Sequence, residues 1–164
     1  MYITPFVILI TAFLAWLVQR NVLARRAAFD YITNHELDGE WLSLADTAVR
    51  SLASKTTKDD WADLATSWSQ NKLSDEQLEE IQPILKFLNR REFVSICILN
   101  GSIHPSTYVE FWDITLVREW KYAKPFIKAL RSTEKGDGSL FQKYEQLIKS
   151  HHLRNQYRKV FSNN

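Results

Sequence analysis

The chain has 164 residues, 45% hydrophobic and 24% charged, with four Gly and four Pro, which excludes a disordered, collagenous or low-complexity protein. Its length suits one folded domain, and its single cysteine, Cys97, excludes a disulfide framework or a zinc site built from several thiolates. The net charge of +2 averages unlike parts: residues 1–26 carry +3, residues 27–114 carry −8 and residues 115–164 carry +7.

From Phe6 to Val18 the chain reads FVILITAFLAWLV, in which Thr11 is the only polar residue. Counted from Tyr2, 17 residues precede Gln19. At a rise of about 1.5 Å per residue they cover roughly 26 Å of a hydrocarbon core about 30 Å thick. Arg20 can snorkel to the headgroups, Val22-Leu23-Ala24 extend the apolar surface, and Tyr2 and Trp16 place amphipathic rings near the two interfaces. Pro5 falls in the first turn, where its missing N–H costs little. A cleaved signal peptide needs a basic start and a small-x-small site, and neither is evident here. A soluble core helix would show a polar face, which this run lacks. Residues 1–24 are therefore expected to be a transmembrane anchor. Arg20, Arg25 and Arg26 all follow the span, so the positive-inside rule puts the N-terminus outside and the remainder in the cytoplasm.

Beyond residue 26 no alternating polar and β-branched run and no Gly-bounded hairpin occurs, whereas helical spacing recurs. The anchor helix is expected to continue through Arg25, Phe29 and Ile32. Asp38 is a candidate N-cap for a helix whose stripe is Trp41, Ala45, Ala48 and Leu52, with Leu42 and Val49 beside it. Thr57 opens a short helix with Asp59 and Asp60 in its first turn and Trp61, Leu64, Ala65 and Trp68 on one face. Ser74-Asp75-Glu76-Gln77 has the form of a capping box and starts a long helix that Gly101 ends. His104-Pro105 opens the next, with Pro at the first helical position.

That helix carries the strongest pattern in the chain: Val109, Trp112, Leu116, Trp120, Ala123, Ile127 and Leu130 step by three or four and predict a core-facing seam. Pro125 is expected to kink or break it. A turn over residues 132–138 leads to a last helix with Leu140, Phe141, Tyr144, Leu147 and Ile148. The fold class is thus all-α: one transmembrane helix, a helical bundle of five or six helices over residues 25–150, and a polar, basic tail over 151–164.

Few residues point to chemistry. Glu92 follows Ile81, Leu85 and Leu88 at helical steps, so its carboxylate needs a partner, for which Arg118 and Arg131 are the candidates. The competing reading, a raised pKa for acid/base work, lacks a second catalytic group nearby. Cys97 lies in the apolar run 93–99 and behaves there as a small hydrophobe. His151-His152 lack further ligands for a metal, and His35 and His104 sit at helix boundaries. Lys135-Gly136-Asp137-Gly138-Ser139 lacks the spacing of a phosphate loop. No enzyme signature, cofactor or metal site is expected.

The tail interleaves cations (Arg154, Arg158, Lys159) with Leu153, Tyr157 and Phe161. It has three candidate partners: the acidic stretch of its own chain, anionic lipid beside the anchor, and nucleic acid. Lipid ranks above nucleic acid because the anchor already holds the tail near a leaflet.

The order of features resembles a family, the domain of unknown function 4760, found in small proteins of bacteria and their viruses, many with an N-terminal anchor. The resemblance is carried by Arg25-Arg26-Ala27, by LKFLNRREFVSICILNGSIHP over 85–105, by TLVREWKYAKPFIKALR over 115–131 and by SLFQKYEQLIKS over 139–150. It places the family's Glu, Trp, Arg and last acid on Glu92, Trp120, Arg131 and Glu145. The chain departs from the pattern by carrying Arg90-Arg91 where an aromatic residue is more usual. The resemblance implies a helical, membrane-tethered domain in a bacterial plasma membrane, in a bacterial or prophage setting, and it implies no activity. The expected function is a non-enzymatic interaction or regulatory module that engages a protein partner or a second copy of the chain. Exposed apolar residues on the Trp61–Trp68 helix, or the anchor itself, are candidate contacts. The alternative is an effector binding anionic lipid or nucleic acid through its basic tail.

Overall fold

The computed structural model describes residues 3–133, 136, 138–150 and 153, all of which lie in helices, turns or short connections. Helix α1 spans Ile3–Tyr31 and runs directly into a π-helical turn, Ile32–Glu36. It is long and apolar enough to cross a membrane. Its two parts differ in what surrounds them. Leu9 is 68% exposed, whereas Ala28 and Ile32 are buried in the core at 0% and 1%. No break separates the anchor-like portion from the domain.

Helix α2, Gly39–Ser54, is capped by Asp38, whose carboxylate accepts the Trp41 N–H at 3.1 Å. A 3₁₀ turn at Asp59–Trp61 leads into α3, Ala62–Ser69. Before it, the Asp60 carboxylate accepts the Thr56 and Thr57 N–H groups, and Thr57 Oγ1 accepts the Asp60 N–H in return. Trp61 is fully buried, edge-on to Phe126 with ring centroids 4.9 Å apart. With Leu64 and Ala65 also buried, this helix spends its apolar face on the core, so the exposed ridge expected there is absent.

The Ser74–Gln77 capping box forms as read and starts α4, Asp75–Leu99. Gly101, at φ +79°, ends it in the left-handed conformation that glycine adopts freely. Helix α5, Pro105–Arg131, follows, its Pro at the start and His104 Nδ1 accepting the Thr107 N–H at 3.4 Å. The seam faces the core: Val109, Leu116, Trp120, Ala123, Ile127 and Leu130 are buried and Trp112 is half-buried. Pro125, however, does not divide α5. Buried Ala123, Phe126, Ile127 and Ala129 hold the helix on both sides of it, and packing offsets the missing backbone bond.

Helix α4 packs on α2 and on α6, Gln142–Lys149; α5 packs on α1, α2, α3 and α6. Where α1 enters the domain, the His104 N–H donates to the Ala24 carbonyl at 3.1 Å, so the α4–α5 turn rests on α1. Leu153 is buried, whereas Arg154, Arg158, Lys159, His151 and His152 lie outside the described residues.

Candidate functional site

Two polar clusters are built into the helical core, and sequence reasoning anticipated only part of the first. The first surrounds α6. Glu92 does not pair with Arg118 or Arg131. Its two carboxylate oxygens accept the backbone N–H groups of Lys143, at 3.0 Å, and Tyr144, at 2.7 Å. It therefore caps the start of α6 from a neighbouring helix, where unpaired N–H groups and the helix dipole favour a negative charge. Arg131 instead holds the approach to α6. Its Nε and Nη2 donate to the Leu140 carbonyl at 2.9 and 2.6 Å, and its Nη1 meets Glu145 Oε2 at 2.7 Å. Between these anchors Phe141 takes a left-handed backbone, φ +55°, a conformation unfavourable for a side-chain-bearing residue. Trp120 completes the cluster, edge-on to the fully buried Tyr144 at 5.3 Å. Burial pushes the Tyr144 phenol well above its ordinary value, and its O–H donates to the Leu116 carbonyl at 3.0 Å. Arg118 stays exposed and forms no ion pair among the described residues.

The second cluster centres on Arg91, which the sequence had not singled out. Its Nε and Nη2 meet both oxygens of Glu119, and its Nη1 donates to Glu36 Oε2 at 2.7 Å and to Tyr108 Oη at 3.0 Å. Arg91, Glu36 and Glu119 are 3%, 0% and 7% exposed, so this is a buried ionic centre. Adjacent Arg90 lies 3.7 Å from Glu36 Oε1, donates to the Tyr31 hydroxyl and the His35 carbonyl, and stacks 3.9 Å over the Trp41 ring. Two guanidinium and two carboxylate groups thus balance, as burial demands.

The π turn makes this possible. Its widened loop, closed by Leu37 N–H to Ile32 O at 3.0 Å, delivers Glu36 inward while leaving the His35 carbonyl for Arg90. Burial pulls the Arg91 guanidinium down, but Glu119, Tyr108 and Glu36 overcome it and hold it well above its usual range. Burial pushes the Glu119 carboxyl up, an effect that Arg91 only partly offsets. Such a centre ties α1, α4 and α5 together. With every member engaged by another, it has the character of a structural lock.

A cleft of about 300 Å³ opens beside this centre between α2 and α5. Trp41, Leu42 and Val49 line one side, Trp112, Arg118 and Tyr122 the other, and Glu36, Arg91 and Glu119 form its floor. Two atoms of lining residues are buried without a hydrogen-bond partner: Glu36 Oε1 and Trp112 Nε1. A larger hollow, about 550 Å³, lies where α1 meets the α4–α5 turn. There Arg20 reaches the Gly101 backbone, with its guanidinium 5.6 Å from the Trp16 ring centre and no carboxylate lining the hollow.

Cys97 is half-buried, and burial pushes its thiol up, away from the thiolate form that nucleophilic chemistry uses. Among the described residues no group of three His, Cys, Asp or Glu side chains is placed to hold a metal ion.

No curated protein and no solved structure matches the chain. A family model does match, that of the domain of unknown function DUF4760, over residues 5–151. The matched stretch takes in α1 to α6 together with both polar clusters. By that match, which covers most of its length, the chain belongs to the DUF4760 family.

Proposed function

We propose that the protein is a single-pass, membrane-anchored helical module that works by binding at the cytoplasmic face, with its N-terminus outside. One observation carries the reading: α1 is a single helix that exposes apolar side chains all round from Val7 to Val18, while farther along only Ala24 and Ala28 are buried against the domain. Exposure of so many large apolar groups costs too much in water to persist without lipid around them. The charge distribution supports the orientation, since Arg20, Arg25 and Arg26 all follow the apolar stretch.

Binding rather than catalysis is supported by how the buried ionisable groups are used. Glu36 and Glu119 are committed to Arg91, and Glu92 to the backbone of α6, so none is free beside a nucleophile. Family resemblance favours a bacterial plasma membrane and a bacterial or prophage setting, where small anchored proteins act in regulation or in exclusion of phage. Tethering would raise the local concentration of the module for a membrane-associated partner.

Carbonate extraction of cell envelopes, combined with reporter fusions at each end, tests this. Retention in the membrane with a cytoplasmic C-terminal reporter is expected. Release by carbonate, or a C-terminal reporter on the outer face, overturns the reading.

A further inference from the structure

We propose that the cleft between α2 and α5 is a binding site for a small hydroxylated aromatic carboxylate, seated with its hydroxyl inward and its carboxylate at the mouth. Glu36 is fully buried, yet its Oε1 accepts no hydrogen bond; Arg90 Nε stands 3.7 Å from it. Trp112 Nε1 is a buried donor without an acceptor. Both residues line the same cleft. Buried polar groups left unmet are disfavoured, so a ligand that answers both gains on both counts.

The charge of the answering group follows from the floor. Arg90 and Arg91 are balanced by Glu36 and Glu119, so the inner end calls for a neutral group. A hydroxyl is neutral and both donates and accepts, so it is the class of group that an acceptor such as Glu36 Oε1 and a donor such as Trp112 Nε1 call for. Apolar and aromatic walls (Trp41, Leu42, Val49, Tyr122) suit a flat apolar body, and about 300 Å³ is at the small end of organic-ligand sites.

At the mouth the two charged residues differ. Asp46 is engaged by Arg50 at 2.7 Å, whereas Arg118 is exposed and forms no ion pair among the described residues. That leaves one cation facing solvent over an otherwise neutral pocket, the complement of a carboxylate. The site stands independently of the membrane reading.

The test uses the ¹⁵N-labelled full chain in detergent micelles and follows the Trp112 indole N–H resonance, assigned with Trp112→Phe. 4-Hydroxyphenylacetate is the probe, with phenylacetate (no hydroxyl) and 4-hydroxyphenylethanol (no carboxylate) as comparisons. Saturable movement of the Trp112 resonance by the probe is expected. Phenylacetate should bind about tenfold more weakly, because a hydrogen bond to a buried carboxylate is lost. Removing the probe's carboxylate, or Arg118→Gln in the protein, should weaken binding about threefold, the scale of an exposed ion pair. Equal binding of phenylacetate would mean that water alone occupies the inner end, and would overturn the proposal. So would the absence of a saturable shift, indifference to both carboxylate changes, or equal movement of all the tryptophan resonances, which would report partition into the micelle.

Discussion

Arg91 grips Glu119 with two parallel bonds, Nε to Oε2 at 2.8 Å and Nη2 to Oε1 at 3.0 Å, joining the middle of α4 to the middle of α5. A planar guanidinium meeting a carboxylate edge-on is the geometry that lysine cannot copy. Its strength lies in mutual dependence, since each partner is buried and stranded without the other.

Glu119→Gln therefore leaves the Arg91 charge half-compensated in the core and should cost about 3–5 kcal/mol. Arg91→Lys should cost a similar amount by losing the fork and the bond to Tyr108. Urea unfolding followed by helical circular dichroism measures both. A loss below about 1 kcal/mol in each would show that the centre contributes little.

Glu92 makes a different kind of contact, and its removal should act locally. Glu92→Ala deprives the Lys143 and Tyr144 N–H groups of their acceptor and should destabilise the docking of α6 by about 1–2 kcal/mol. Limited proteolysis should then cut between Arg131 and Gln142 several times faster, while α2 and α5 stay protected. Glu92→Gln, which keeps an acceptor oxygen but not the charge, should fall between. Uniform acceleration along the whole chain would contradict a capping role.

Glu145 supplies a signature in acid. Burial alone would push its carboxyl up, but Lys149 and Arg131 overcome that and hold it below its ordinary value of 4.5. A carboxylate depressed on folding stabilises the native state above the unfolded value and loses that contribution as pH falls through the folded one. The stability gap between the native chain and Glu145→Gln should thus be widest above about pH 4.5 and narrow below it. Glu119 works in the opposite sense, because its raised carboxyl favours the folded state as it takes up a proton. A gap independent of pH would rule out the Glu145 contribution.

At the alkaline end, Tyr108 and Tyr144 are both held well above the usual phenol value, by burial first. Each then stabilises the fold below about pH 10 and ceases to as pH rises further, because the unfolded phenol ionises first. Of the six tyrosines, these two should stay un-ionised in an absorbance titration until the chain unfolds. Smooth ionisation of all six on the folded protein would refute their enclosure.

Gly101 offers a test of the junction between α1 and the α4–α5 turn. Its φ of +79° resists a side chain, whereas the Arg20 Nη2 lying 3.1 Å from where a Cβ would stand is the free end of a flexible side chain and can give way. Gly101→Ala should cost about 1–2 kcal/mol in thermal unfolding. Arg20→Ala in the same background should recover little of that loss, because the backbone conformation sets it.

Much of this architecture is legible in the chain. Asp38, the Ser74–Gln77 box, His104-Pro105 and Gly101 mark helix ends by local chemistry, and local chemistry survives folding. The seam of α5 reads as clearly because seven apolar positions keep one register. The Arg91 centre was hidden for a physical reason. Reading α4 through Ile81, Leu85, Leu88 and Glu92 aligns its core face with Glu92, but Ile96 on that line is 42% exposed. The buried line runs through Ile84, Phe87, Arg91, Val94 and Ile98, and an arginine inside it was the available signal. Glu36 had no such signal, because only the widened π turn brings it inward. Pro125 misled in the other direction, since its local penalty is outweighed by contacts distant in the chain.

If α1 crosses a bilayer as proposed, it enters the domain as one unbroken helix with the π turn, and the domain has no swivel. Whatever tilts that shaft, whether a thinner bilayer, a neighbouring span or tension in the leaflet, must turn the whole body by the same angle. The cleft between α2 and α5 then faces the membrane plane at a fixed inclination. A few residues of glycine-rich sequence inserted after Arg25 would uncouple the two, leaving attachment intact and orientation lost.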